Sequence, residues 1–477
     1  MSMKKILIFI NCLILIALTL LVPVSATEED DKIKTYGEGY LLPKQGYETE
    51  IALLVNSDTD TVIFSKNADK LTAPASLTKI VTAMVALNEC RDLQKVIKCS
   101  YNAIHSLDGT GSSVAGLFVD EEITLEMLLY CLLLPSANDA AAVIAEHFGG
   151  GDTQVFVDKM NALVKSLGCK NTYFANAHGL DDESVKGYEA PTQNRTTARD
   201  MYLIAKEALK NDIIVAMSSK YGKTIPATNK SDVRYRYNTN PLLNDVSPYY
   251  YKGAVGLKTG TTDKAGCCLI SSATKDGYTY ISIAMRGVDD YYYKADDGTV
   301  IEQANTAFLM CRYMLSWAFS NMKMKAITDE NYVLSEAAVK FGRGSDYVGL
   351  VTNKTVNAVV HDSLDMDDFT IVLDKSFSKE LDAPVKKGDV ITTASIMYES
   401  VVIAEVELVA FQTIKKNYLW AAFSWMDSIA KFAFLIILVL VIAIVLLLFG
   451  TRKKRAQKKR RKNQPTIIKD YSNLSRK

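Results

Sequence analysis

Phe432 to Gly450 is a run of nineteen residues without a charge, and it constrains this 477-residue chain more than any other feature. At about 1.5 Å per residue, a helix of that length matches the roughly 30 Å hydrocarbon core of a bilayer, so the spacing predicts a transmembrane helix over 432–450. Nine Lys or Arg lie within Arg452–Lys462, whereas Lys415, Lys416 and Lys431 lie close on the other flank. That bias predicts a cytoplasmic tail over 451–477 and an extracytoplasmic body, in a single-pass cell-membrane protein. Residues 416–431 carry Tyr418, Trp420, Phe423 and Trp425, which suit the outer interface of the membrane or a short packed helix. At the other end, Lys4 and Lys5, the apolar stretch Ile6–Val22 and the small residues of Val24-Ser25-Ala26 predict a signal peptide over 1–26. Left uncleaved, that segment would be an anchor and would leave the body on the same side.

With the ends set aside, the charge changes sign. The net charge of +1 includes Lys4 and Lys5 and a tail of twelve Lys or Arg against Asp470, which leaves −12 for residues 27–450. An acidic body argues against nucleic acid as a partner, because phosphate contacts need basic surface. Of eight cysteines, Cys12 belongs to the signal peptide; the remaining seven are irregularly spaced and include the adjacent Cys267 and Cys268. An odd, unpatterned set predicts free thiols rather than a disulfide framework. His105, His147, His178 and His361 lack ligand spacing, so neither a metal nor a cofactor is expected.

Between the ends, strand-like runs (Ala52–Asn56, Thr61–Ser65) alternate with helix-like ones (Ala75–Leu87, Leu125–Leu134, Ala140–His147, Val155–Leu167, Thr197–Leu209). Cys268–Ala273 and Tyr278–Met285 read as paired strands, and a helix is predicted from Ile301 to Phe319. From about Lys325 the helical period fades, and short β-branched runs (Val356–Val360, Phe369–Leu373, Val390–Thr393, Val401–Leu408) predict a small all-β domain. The expected organisation is an α/β catalytic domain over 27–322, with an antiparallel sheet flanked by helices. A β-rich domain over 323–415, the juxtamembrane segment and the span follow it.

The chemistry is concentrated in three places. Ser76-Leu77-Thr78-Lys79 puts a hydroxyl and an amine on one face of a helix, so Lys79 can take the proton of Ser76. Pro74 suits the helix start, where amide N–H groups are free to donate. The spacing alone says little, since Ser272…Lys275, Ser376…Lys379 and Ser428…Lys431 share it. Pro135-Ser136-Ala137-Asn138-Asp139 adds a hydroxyl that can relay a proton and an amide that can hold a peptide group, although Ser100-Tyr101-Asn102 has the same form. Gly256-Leu257-Lys258-Thr259-Gly260-Thr261 holds the chain's one Lys-Thr-Gly; Lys258 and Thr259 can bind a carboxylate, and Gly260 permits close backbone approach. Each motif by itself is adequately explained as a solvated pair or a turn. Their order, on helix, loop and strand, matches serine penicillin-recognising enzymes.

The stretches Ala73–Ile80, Leu134–Ala141 and Gly256–Gly266 closely resemble those of low-molecular-weight penicillin-binding proteins that are D-alanyl-D-alanine carboxypeptidases, as do Phe174–Leu180 and Thr197–Met201. The resemblance covers about residues 40–320 and extends more loosely over 325–413, where Pro384–Asp389 is similar to a turn of their β-rich domain. It implies Ser76 as the acylated nucleophile, Lys79 as a base working as a neutral amine, Ser136 as relay and Asn138 as a substrate-orienting amide. Lys258 and Thr259 would receive the terminal carboxylate, beside Gly260. The N–H groups of Ser76 and Thr261 would form the oxyanion hole. The implied partners are a peptidoglycan stem peptide ending in D-Ala-D-Ala and β-lactams as covalent inhibitors. Two departures stand out: Arg286 is a loose match to an arginine that helps hold the carboxylate in some relatives, and Asp289–Gln303 is a Tyr-rich insertion.

Three rival activities use similar parts. A β-lactamase needs a deacylating glutamate, and Glu207–Asn211 departs from the Glu-x-x-Leu-Asn pattern at Lys210. A non-catalytic receptor usually carries its membrane segments ahead of the serine domain. A D,D-endopeptidase shares all the chemistry and differs in the bond it cuts.

Overall fold

A computed structural model describes residues 35–36, 39–40, 42, 49–182, 184, 192–294, 298–378 and 380–462. The expected signal peptide and the end of the basic tail lie outside them. The chain divides into two compact units, Met1–Thr328 with Thr355–Val372 and Ser395–Val406, and Asp329–Lys354 with Leu373–Ala394 and Glu407–Lys477.

The first unit is built on a five-stranded sheet: β1 (Ile51–Asn56), β2 (Thr61–Lys66), β3 (Ala254–Thr262), β4 (Gly266–Lys275) and β5 (Tyr278–Gly287). The spatial order is β2-β1-β5-β4-β3, and every neighbouring pair is antiparallel. β1 reads as an unbroken apolar run because both its faces are covered. Ile51, Leu53 and Val55 enter one core while Ala52 and Leu54 enter the other, as the two-residue period of a strand requires. The first core takes the helices α1 (Thr78–Glu89), α2 (Leu125–Leu133), α3 (Asn138–Phe148), α4 (Thr153–Ser166) and α5 (Ala198–Ala208). The second takes α6 (Thr306–Asn321), together with Ala358–Val360, Ile396 and Val401 from the later strands assigned to this unit. This is the expected mixed α/β domain with an antiparallel sheet between helices.

One predicted helix boundary moves. The segment expected to be helical from Ile301 begins instead at Thr306, and Val300–Ala304 is a strand paired with Tyr291–Lys294. Asn305 sets the start, because its side chain accepts the N–H groups of Ala307 and Phe308 that no helical carbonyl can reach. The insertion over 289–303 is therefore a hairpin at its described residues.

In the second unit Ser335–Lys340 runs antiparallel to Tyr347–Thr352 and parallel to Glu380–Asp382, while Leu350–Thr352 pairs with Leu408–Ala410. This is the β-rich part of the chain. Tyr418–Trp425 is a short helix, and the 35-residue helix Ser428–Lys462 contains the uncharged run with its apolar side chains exposed. That helix is long and apolar enough to cross a membrane. The seven cysteines among the described residues are free thiols.

Candidate active site

Pro74 precedes a single 3-10 turn, Ala75–Leu77, which leads straight into α1. Ser76 sits on that turn and Lys79 in the first turn of α1, so both side chains leave the same face. Lys79 Nζ lies 2.8 Å from Ser76 Oγ, 2.6 Å from Asn138 Oδ1 and 2.7 Å from the His178 carbonyl oxygen. The amine is completely buried. Burial and, after it, the positive charge of Lys258 hold its pKa well below the usual lysine value, with Asp139 acting weakly in the other direction. A neutral amine has two N–H donors and one lone pair. It can donate to Asn138 and His178 and accept the Ser76 hydroxyl proton, which is what a general base requires.

His178 owes its place to its backbone, whose carbonyl helps hold Lys79. Its half-buried imidazole stays neutral, with a pKa lowered to about 3 by desolvation and by Lys79, and Nδ1 accepts the Leu180 N–H at 3.1 Å. The loop is pressed against the turn that carries Ser76. A Cβ at Gly179, where φ is +90°, would meet the Ala75 carbonyl oxygen at 1.9 Å.

The second motif joins α2 to α3. Ser136 has φ of +65°, a left-handed conformation that is costly for a non-glycine residue, by about 1–3 kcal/mol. The turn around it is fixed by Ala137 N–H bonding to the Cys131 carbonyl and Ser113 Oγ donating to the Pro135 carbonyl. Asn138 opens α3, and its N–H bonds the Ser113 carbonyl. Next to it, the buried Asp139 carboxylate accepts the N–H groups of Ala115 and Leu117, tying a third segment to the site.

The third motif lies on β3. Lys258 is buried, with Nζ 2.9 Å from the Thr259 carbonyl oxygen and 3.5 Å from Thr259 Oγ1; burial brings its pKa down to about 7. The Thr259 hydroxyl is hydrogen-bonded to that of Thr239. At Gly260 the sheet edge meets the turn that carries Ser76. A Cβ there would stand 2.9 Å from Ser76 N and 3.0 Å from Ala75 Cβ, so only glycine lets the strand come this close.

A cleft of about 1070 Å³ runs between these elements. Ser76, Ser136, Asn138, Thr259, Gly260 and Thr261 line it, and Lys79 and Lys258 lie buried beneath it. Arg286, the loose candidate, is turned to other partners: Nε bonds Glu50 and a second guanidinium nitrogen donates to the Lys264 carbonyl at 2.9 Å. Two of the competing serine–lysine pairs lack this setting, and Lys379 of the third lies outside the described residues. Ser272 and Lys275 lie on β4, where residues three apart face opposite sides, and Ser428 opens the apolar helix. Sequence reasoning missed two contributors. The His178 carbonyl has no side-chain signature, and Thr239 lies in a loop outside every motif, with only its place in Asn238-Thr239-Asn240-Pro241 to mark it.

A family model described as D-alanyl-D-alanine carboxypeptidase matches residues 43–288, and one described as the C-terminal domain of penicillin-binding protein 5 matches 323–416. The D-alanyl-D-alanine carboxypeptidase DacF of Bacillus subtilis is 29% identical over 381 residues, covering 80% of this chain and 89% of that protein. DacA of Escherichia coli K12 is 29% identical over 403 residues, or 83% and 90% of the two chains. In fold, the chain is similar to the crystal structure of the D-alanyl-D-alanine carboxypeptidase DacD from Francisella tularensis, with a TM-score of 0.60 and 24% identity over 81% of this chain and 97% of the other. A serine, a buried lysine and a Lys-Thr-Gly strand around one cleft, within a sequence matched over more than half its length, establish that the chain belongs to the D-alanyl-D-alanine carboxypeptidase family.

Proposed function

We propose that this serine-type D-alanyl-D-alanine carboxypeptidase removes the last D-alanine of stem pentapeptides through an acyl-enzyme on Ser76, from the outer face of a membrane it spans once. The observation that carries the reading is the 2.8 Å approach of Ser76 Oγ to a buried, deprotonation-prone Lys79. As Ser76 Oγ attacks the carbonyl carbon of the penultimate D-alanine, Lys79 takes the hydroxyl proton. The N–H groups of Ser76 and Thr261 stabilise the oxyanion. When the C–N bond breaks, the proton passes through the Ser136 hydroxyl to the leaving amine of D-alanine. Water then hydrolyses the ester with Lys79 as base. Asn138 orients the substrate amide, and Lys258 and Thr259 receive the terminal carboxylate; the same geometry makes Ser76 the site of β-lactam acylation.

The domain limits proposed are those of the sequence: catalytic domain 27–322, β-rich domain 323–415, span 432–450. The charge bias around the span supports a cytoplasmic tail and an extracytoplasmic body. The activity is tested with diacetyl-L-Lys-D-Ala-D-Ala and its C-terminal amide. The free acid should release D-alanine, and the amide should react about tenfold more slowly or worse, the worth of a charge-assisted hydrogen bond. Equal rates would overturn the carboxylate assignment and favour cleavage of cross-links.

A further inference from the structure

Thr239 stands where the second and third motifs meet. Its N–H donates to the Leu134 carbonyl at 3.0 Å, just ahead of Pro135 and Ser136, and its hydroxyl is bonded to that of Thr259 on β3. Both threonines line the cleft. The residues flanking Thr239 hold it there. Asn238 Nδ2 donates to the Ser218 and Lys220 carbonyls at 2.9 and 3.0 Å, Asn238 Oδ1 accepts the Asn240 N–H, and Asn240 Oδ1 accepts the Leu242 N–H. A β-branched side chain on a backbone pinned in this way has little rotamer freedom.

Each hydroxyl has one proton, so the pair can be ordered in two ways. In one order Thr259 donates to Thr239 and Thr239 donates to the Leu134 carbonyl, 3.3 Å from its Oγ1. Both protons are then used within the protein, and Thr259 has none for a substrate. In the other order Thr239 donates to Thr259, and the Thr259 proton is free to meet a carboxylate. Passing from the first to the second gives up only the 3.3 Å contact, which is long for a hydroxyl donor, and the Leu134 carbonyl keeps the Thr239 N–H. A carboxylate at Thr259 then ends a chain of two hydroxyls that polarise each other in one direction, which makes Thr259 a stronger donor than a lone threonine. Arg286 is turned to Glu50 and the Lys264 carbonyl, which gives this chain of hydroxyls more of the work.

Resting on the carboxylate assignment made above, we propose that Thr239 is a positioning residue for the terminal carboxylate: on substrate binding it turns its proton from the Leu134 carbonyl to Thr259, and so releases the Thr259 proton to the substrate. Thr239 acts on the carboxylate only through Thr259. Its backbone bond to Leu134 is the same in both orders, so the hydroxyl can be removed without loosening the turn that leads to Ser136.

The test is a double-mutant cycle on full-length protein in detergent micelles, read as kcat/KM for diacetyl-L-Lys-D-Ala-D-Ala and for its C-terminal amide. Thr239→Val keeps the side-chain shape and removes the hydroxyl. It should lower kcat/KM about three- to tenfold for the free acid and less than about twofold for the amide. Thr239→Ser should bring the free acid back to within about twofold of the unmutated protein. In Thr259→Val the chain is already cut, so adding Thr239→Val should cost less than about a further twofold. Should Thr239→Val lose the circular dichroism of the folded protein, Thr239→Ala is read in its place. An acid-to-amide gap that survives unchanged in Thr239→Val overturns the proposal, as do losses that multiply in the double variant, which would make Thr239 an independent contact. Equal rates on acid and amide by the unmutated protein would instead overturn the carboxylate assignment, and the proposal with it.

Discussion

On the helical wall of the cleft, Lys79 has three oxygen partners between 2.6 and 2.8 Å, contributed by Ser76, Asn138 and His178 from three separate segments. On the strand wall, Lys258 is equally buried, but its bonds among the described residues run only to its neighbour Thr259. Both amines are pushed toward the neutral form by burial, Lys79 further because Lys258 adds its charge. The first lysine is surrounded by acceptors the protein supplies, which suits a base that exchanges one proton with a fixed partner. The second keeps donors unspent. A substrate carboxylate placed between Lys258 and Thr259 would supply the missing acceptor and draw the amine back to its charged form.

The contrast can be broken most forcefully at Lys79. Lys79→Arg keeps a cation in place but cannot give up its proton, so penicillin acylation should slow by about 10²–10⁴-fold. Stopped-flow rates with a chromogenic β-lactam measure this, and acylation within tenfold of the unmutated rate would remove Lys79 as the base. Next in size, Thr259→Val deletes the proposed carboxylate donor and leaves the Thr239 hydroxyl only its bond to the Leu134 carbonyl. For the free-acid peptide, kcat/KM should fall by about ten- to a hundredfold, and for the amide by less, narrowing the gap between them. An equal loss on both substrates would show that Thr259 does not read the carboxylate.

The smallest effect sharpens the comparison through pH. Lysine pKa values lowered by burial mean that each ammonium form is lost as pH rises through the lowered value. As the proposed base Lys79 must be uncharged, so kcat/KM should decline on the acid side; as the proposed carboxylate anchor Lys258 must be charged, so for the free acid kcat/KM should also decline above about 7. One pH unit beyond that point the alkaline loss should approach about tenfold. Lys258→Arg keeps its charge at every accessible pH and should flatten the alkaline limb while preserving the acid one. A profile in which Lys258→Arg removes the acid limb would exchange the roles of the two lysines.

Much of this site is legible in the sequence because its chemistry is carried by side chains in fixed local spacing. Ser76 and Lys79 need only a helix to meet, and Gly260 announces a close approach that a Cβ would block. The strands of the central sheet are legible for a similar reason, since β1, β4 and β5 are apolar on both faces. The contributions that escaped are made by backbone or across long separations. The His178 carbonyl contacts Lys79 from 99 positions away, and Thr239, in the loop that follows Arg234–Tyr237, meets Thr259 on β3 across 20 positions. The start of α6 was misplaced for a local reason: Ile301 continues an apolar period backward, and periodicity is blind to the Asn305 cap that stops it.

The most direct test of the account is to expose the full-length protein to benzylpenicillin and locate the adduct by peptide mass spectrometry. One penicilloyl group per chain, on the peptide containing Ser76 and absent from Ser76→Ala, is the predicted result. An adduct on the peptide of Ser272, Ser376 or Ser428, or one that survives in Ser76→Ala, would contradict it.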